Sequence, residues 1–145
     1  MTTTAHAPTS FPTSSPIDSG IVTGRPRAWL RLEGLALLTA ALVAYSQTGQ
    51  PWWLLAATLL VPDLGALGYL VSASAGTLLY NLAHTTTLPL VLGGLGIWQH
   101  NALASALALV WLAHIGMDRA MAYGLKYDDD PSHTHLGRHG HQHRA

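Results

Sequence analysis

Apolar positions in this chain run together in four long blocks instead of alternating with polar ones. The blocks span about Trp29 to Ser46, Trp52 to Ser72, Gly76 to Trp98, and Ala102 to Gly124. Each is close to the roughly 20 residues that a helix needs to cross about 30 Å of hydrocarbon. In lipid every backbone N–H and C=O must be paired within the segment, so such runs are predicted to be helices. The connections, Gln47 to Pro51, Ala73 to Ala75 and Gln99 to Asn101, are short enough to make successive helices antiparallel neighbours. The pattern predicts an all-α, integral membrane, up-down bundle of four transmembrane helices with disordered polar tails.

Composition agrees with that reading. Hydrophobic residues make up 49% of the 145 residues and charged ones 10%, against about 25% charged in an ordinary soluble domain. From Gly34 to Met117 the only Asp, Glu, Lys or Arg is Asp63. A water-soluble surface cannot be left so bare of charge in so small a domain. Residues 1–26 are rich in Thr, Ser and Pro and read as a disordered tail without a cleavable signal peptide. Residues 27–127 form the transmembrane domain, and 128–145 a polar, His-rich tail. Formal net charge is zero, which argues against a nucleic-acid partner. The lack of cysteine excludes disulfides, thiolate metal sites and covalently attached haem.

Basic residues set the orientation. Arg25, Arg27 and Arg31 open the first helix, and Lys126, Arg138 and Arg144 follow the last, while the three connections carry none. The positive-inside bias places both termini in the cytoplasm, with the chain in the plasma membrane. Trp52, Trp53 and Trp98 then mark the outer interface, and Trp29, Tyr123 and Tyr127 the inner one.

Candidate chemistry lies in the ionisable residues inside these runs, each of which costs about 2.5–3.5 kcal/mol on insertion scales. They are Glu33, Asp63, His84, His114, Asp118 and Arg119, with Tyr80 and Asn81 beside His84. At about 1.5 Å per residue, Glu33 lies about 6 Å from the inner end of its helix and Asp118 about 9 Å. His84, Asp63 and His114 follow at about 12, 13 and 15 Å. Helices of opposite direction thus bring their polar residues to one inner level. His114 and Asp118 share a face as i, i+4, and so do Tyr80, Asn81 and His84. Pro62 and Pro89 leave the Thr58 and Thr85 carbonyls without their helical partners.

Two imidazoles and two carboxylates from three helices suit Zn²⁺, Mn²⁺ or Fe²⁺, and Asp63, His84, His114 and Asp118 are the predicted ligands. With an open position such an ion activates water for hydrolysis. The candidate catalytic residues are Glu33, as a base, Asn81 and Arg119, the last forming with Lys126 a candidate pair for an anionic headgroup or phosphate. The plainer alternative makes each residue interhelical hydrogen-bond glue, worth about 0.6 kcal/mol on average. Five of the nine histidines, His133, His135, His139, His141 and His143, lie in the C-terminal tail, which reads as a weak metal-binding tract or an ordinary polar end. Asp128–Asp130 reads as a solvated turn.

Five blocks carry a family resemblance: RLEGLALL at 31–38, PDLGALGYL at 62–70, YNLAHTTTLP at 80–89, WLAHIGMDRAMAYGLKY at 111–127 and THLGRHG at 134–140. Together, over roughly 29–140, they resemble a family of small bacterial membrane proteins known as domain of unknown function 4260. That resemblance implies a multi-pass membrane protein and no particular activity; the segment DDDPSH is less typical of it. PD at 62–63, His84 and H-x₃-D-x₅-G at 114–124 also resemble membrane-bound metal-dependent hydrolases. This second likeness implies Asp63, His84, His114 and Asp118 as ligands, although the His-Arg-Gly-x-Thr-His string of those proteins is missing here.

The functional expectation is a metal-dependent hydrolase acting on a lipid or other amphiphile at the cytoplasmic leaflet. One alternative is a haem-binding electron carrier with His84 and His114 as axial ligands. The other is a non-enzymatic transport or assembly bundle, for which four helices are few unless the chain oligomerises.

Overall fold

The computed structural model describes residues 20–138. Helix α1 (Gly24–Ser46) is followed by α2 (Trp52–Thr58), a 3-10 segment (Val61–Leu70), α3 (Ala73–His84), α4 (Thr87–Trp98) and α5 (Ala102–Ala120). Two-residue strands β1 (His133–Thr134) and β2 (Gly137–Arg138) then form an antiparallel hairpin. Helix α5 is the central column: α1 and α4 pack along it, while α3 pairs with the 3-10 segment. Ala106, Ala108, Val110, Ala113, His114, Ile115 and Gly116 of α5 are all buried.

Two of the expected helices change course, each at a proline. Pro62 cannot donate to Thr58, and α2 ends at Thr58. The next turn tightens instead, with Asp63 N–H donating to Leu60 at 3.1 Å, and the chain continues as ten residues of 3-10 helix. The third run, expected as one helix from Gly76 to Trp98, is two helices. Pro89 cannot donate to Thr85, and Thr85 leaves the helix with ψ 143° before α4 begins at Thr87. Trp111 Nε1 donates to Ala83 O at 2.6 Å, satisfying one of the carbonyls at the end of α3. The fourth run also stops early, at Ala120, because Ala122 takes φ +68° and turns the chain under the bundle.

Helix α1 meets α5 where both lack side chains. A Cβ on Gly116 would stand 2.6 Å from Leu38 N and 2.8 Å from Gly34 O, and a Cβ on Gly34 would stand 2.7 Å from Ala120 N. The backbones therefore touch, as small residues permit in membrane-type packing. Where α3 meets the 3-10 segment the same holds: a Cβ on Gly65 would lie 2.8 Å from Leu79 O, and one on Gly68 2.8 Å from Ala75 O.

The expected polar tails are partly folded. Val22 N–H donates to His135 O at 2.8 Å, and Tyr127 Oη–H donates to Gly20 O at 2.8 Å. The start of α1 and the end of α5 meet where Arg31 Nε donates to Ala120 O at 2.8 Å. The hairpin closes through Tyr127 N–H to His133 O and His135 N–H to Leu125 O, and it buries Leu136 and Thr134. Within Asp128–Asp130 the acids are engaged: Asp130 caps the Ser132 amide at 2.7 Å, and His133 Nδ1–H donates to Asp129 at 2.7 Å. His139, His141 and His143, and the disorder expected of residues 1–19, lie outside the described residues.

Two helical stretches are long and apolar enough to cross a membrane, Gly24–Ser46 and Trp52–Leu70; Thr87–Trp98 is apolar but shorter. Large apolar side chains face outward all round, including Trp29, Trp53, Leu70, Val71, Ile97 and Trp98.

Two predictions follow from this packing. Gly116→Val forces the α1–α5 backbones apart, so detergent-solubilised variant protein should unfold with a loss of about 1–3 kcal/mol in a denaturant titration. The hairpin should also respond to pH. His135 Nδ1 accepts the Leu125 N–H at 2.9 Å, which requires a neutral ring. Burial, and more weakly Arg119, hold its pKa below 6.5, partly offset by the Leu125 carbonyl. The unfolded chain takes up the proton first, so this contribution is complete above pH 6.5 and is lost as pH falls through the depressed folded value. Amide exchange at Leu125 and Val22, corrected for intrinsic rates, should accelerate below that pH in wild type and not in His135→Gln.

Candidate metal centre

Three elements deliver the four polar side chains. Asp63 comes from the first turn of the 3-10 segment, His84 from the last turn of α3, and His114 and Asp118 from successive turns of α5. One ligand atom from each lies within 4.8 Å of all the others. His84 Nε2 is 3.3 Å from both Asp63 Oδ1 and Asp118 Oδ2 and 3.1 Å from His114 Nε2. His114 Nε2 is 3.6 Å from Asp63 Oδ1 and 3.7 Å from Asp118 Oδ2. Tetrahedral ligands at 2.0–2.1 Å from a zinc ion would be separated by about 3.3–3.4 Å. Five of the six separations, at 3.1–3.7 Å, are near that spacing, and the sixth, Asp63 to Asp118, is within 4.8 Å.

The tautomers make the same point. His84 Nδ1–H donates to Tyr80 O at 2.8 Å, so in the neutral ring the lone pair is on Nε2, aimed into the cluster. If His114 Nε2–H filled the 3.1 Å contact, its own Nδ1 would be a bare lone pair. That Nδ1 is buried with no hydrogen bond of ordinary geometry, and the backbone acceptor beside it is Leu59, whose carbonyl was freed when the chain tightened at Pro62. Each ring can present an Nε2 lone pair to a common cation, with the Tyr80 carbonyl on His84 Nδ1–H and the Leu59 carbonyl beside His114, the usual outer support of metal-binding histidines. Two neutral imidazoles with two carboxylates carry a charge of minus two, which a divalent ion neutralises. The donor set fits Zn²⁺, Mn²⁺ or Fe²⁺.

Burial is uneven. The His114 and His84 side chains are 0% and 4% exposed, Asp118 14% and Asp63 49%. The Tyr80 ring stacks on His84 at 3.8 Å between centroids. On the carboxylate side opens a cavity of about 700 Å³, lined by Asp63, Asp118, Tyr80, Lys126 and the hairpin residues Ser132 and Thr134, with apolar walls at Leu60, Met117 and Met121. Burial pushes the Lys126 ammonium below its ordinary value, while Asp63 and Asp118 pull it back up.

The other sequence candidates lie apart from the four ligands. Glu33 is exposed on α1 and outside the ligand group. Arg119 lines a small recess behind Asp118 with His84 and Tyr123, not the large cavity. Asn81 is committed to the backbone: its Nδ2 donates to Lys126 O at 2.9 Å and its Oδ1 accepts Lys126 N–H at 2.8 Å. It therefore positions Lys126. The cavity's apolar walls and hairpin roof have no counterpart among the sequence candidates. Met117 and Met121 stand one turn apart on the α5 side, a spacing that was readable, whereas the roof has no sequence signal.

A family model described as Domain of unknown function (DUF4260) matches residues 27–139, most of the chain. The chain belongs to this family. No curated protein and no solved structure matches it. All four clustered side chains, and Lys126, fall inside the stretch shared with DUF4260.

Asn81→Ala removes both bonds to the Lys126 backbone. At about 1 kcal/mol per bond, the expected cost is about 2 kcal/mol. It should be confined to the 125–138 segment, where limited proteolysis after Lys126 or Tyr127 should quicken while helical circular dichroism is unchanged.

Proposed function

We propose that this DUF4260 protein is a membrane-embedded metal protein that hydrolyses an amphiphilic substrate at the inner face of the bilayer. The observation that carries this reading is the cluster of two histidines and two aspartates with their ligand atoms all within 4.8 Å of one another, buried on its histidine side and open to a cavity on its carboxylate side. A divalent ion held by Asp63, His84, His114 and Asp118 would supply Lewis acidity and a water of lowered pKa. The chain's own residues then divide the work. His84, its Nδ1–H held by the Tyr80 carbonyl, and the fully buried His114 would hold the ion from the bundle interior. Asp63, half-exposed, would be the ligand freest to move. Leu60, Met117 and Met121 give an apolar surface beside it.

Membrane placement rests on several supports. Two helices have spanning length and composition, the broken Thr87–Trp98 run is apolar, and large apolar side chains face outward far beyond the patches usual on soluble monomers. A four-span, multi-pass topology in the bacterial plasma membrane accommodates α2 with the 3-10 segment as one span and α3 with α4 as another, since broken backbone at membrane depth is tolerated where it is buried in protein or lines a cavity. Arg25, Arg27, Arg31, Lys126 and Arg138 belong to the end where both chain termini leave the bundle, which favours cytoplasmic termini. The geometry disfavours haem: two Nε2 atoms 3.1 Å apart, ringed by carboxylates, leave no space for a porphyrin between them. A purely structural bundle would be expected to tie each polar group to its own partner, and His114 Nδ1 is not so tied.

Gently purified protein should hold about one equivalent of a divalent transition metal per chain, and His114→Ala should hold none. Hydrolysis of an amphiphilic ester by the purified protein should stop on chelation and return when the same metal is restored. A full complement of metal surviving in His114→Ala, or turnover indifferent to chelator, overturns the proposal.

A further inference from the structure

The proposed hydrolase leaves its substrate class open, and a cation that lines the cavity with the aspartates speaks to it. Lys126 Nζ sits 4.0 Å from the centre of the Tyr80 ring and 4.9 Å from that of Tyr69, so two aromatic faces hold its ammonium in place. Its backbone is fixed at both N–H and C=O by the Asn81 amide. Among the described residues no carboxylate oxygen lies within 4 Å of it. Yet it shares the cavity with both aspartates and feels their charge. A cation has been positioned, kept from its nearest acids, and turned to a space that it shares with a divalent-metal shell.

A half-buried lysine of this kind is ordinarily paired with a carboxylate or left to water. An occupant bearing negative charge, lying between the ammonium and the metal shell, completes the arrangement. Phosphate answers best: its several oxygens can meet a lysine point charge on one side and a divalent ion on the other, the clamp that phosphoryl groups favour. A carboxylate offers only two oxygens and a single charge. The remaining walls, Leu60, Met117 and Met121, are apolar and lie on the bundle side, where an alkyl chain attached to the phosphate would find its place.

We propose that the cavity binds a phosphate monoester carried on an alkyl chain, with Lys126 as the headgroup-binding residue; this rests on the metal reading above. In hydrolysis of such an ester, water's oxygen bonds to phosphorus as the P–O bond to the alkyl oxygen breaks. The products are the alcohol, which takes a proton from water, and inorganic phosphate.

The test is calorimetric titration of full-length, metal-loaded protein in uncharged maltoside with octyl phosphate, octanoate and inorganic phosphate, alongside metal content for every variant. Octyl phosphate should bind wild type, weaken by about tenfold or more in Lys126→Met, and stay within about threefold in Lys126→Arg. All three proteins should keep equal metal, since Lys126 is not a ligand. Octanoate binding as tightly as octyl phosphate overturns the phosphate assignment. Inorganic phosphate binding as tightly overturns the alkyl-chain assignment and points to a soluble source. Equal octyl phosphate binding in Lys126→Met with metal retained overturns the role of Lys126 and leaves the metal centre standing. Wild type without metal overturns the proposed function and this inference together.

Discussion

Two missing backbone donors organise the inner half of this molecule. Pro62 and Pro89 each deprive a carbonyl four residues earlier of its hydrogen bond, at Thr58 and Thr85, and an apolar helix cannot absorb that loss in place. The chain responds differently at the two points. After Thr58 it tightens into a 3-10 turn, which rotates Asp63 relative to the position a continuous α-helix would give it. At Thr85 it breaks, and His84 becomes the last residue of a helix that is free to lie against the 3-10 segment. The same tightening frees the Leu59 carbonyl beside His114 Nδ1. Helix α5 carries no such defect between Ala102 and Ala120 and serves as the straight edge against which both adjustments are read.

Close backbone approach turns that arrangement into fixed distances. With Gly34 against Gly116, and Gly65 and Gly68 against α3, the elements bearing the ligands have little freedom to slide, because any side chain there would collide with backbone rather than with a flexible tip. Trp111, bonded to Ala83 O, ties α5 to the end of α3 one turn from His114. A metal shell needs ligands placed to within about 0.5 Å, which loops seldom provide and packed helices do. Glycine and alanine in these helices are thus part of the site, although none of them touches an ion.

The four clustered residues were legible because an ionisable residue in an apolar run has few reasons to be there. Asp63, His84, His114 and Asp118 could be set at a common level by counting rises from the helix ends, and they meet in space. Glu33 passed the same count and lies elsewhere, since depth fixes height along the bundle axis and says nothing of direction around it. Asn81 was readable as a polar residue near His84 but not as a clamp, because its partner is a backbone 45 residues away and backbone groups leave no mark in sequence. Pro89 signalled a lost bond; that the helix would end there depended on Trp111 reaching a vacated carbonyl. The hairpin at 126–138 was least legible: its composition is that of a solvated tail, and Leu136 is its one fully buried large apolar side chain.

That hairpin bears directly on how the site is reached. The histidine side is closed by α5, by the stacked Tyr80 ring and by the backbone beside Leu59, and the accessible side of the cluster is that of Asp63 and Asp118. The cavity on that side is roofed by Ser132 and Thr134 and flanked by Leu60, Met117 and Met121. A wholly water-soluble ligand would leave the apolar walls unused, and a wholly apolar one would strand Lys126 and both aspartates. A molecule with a charged head and an apolar body matches both at once.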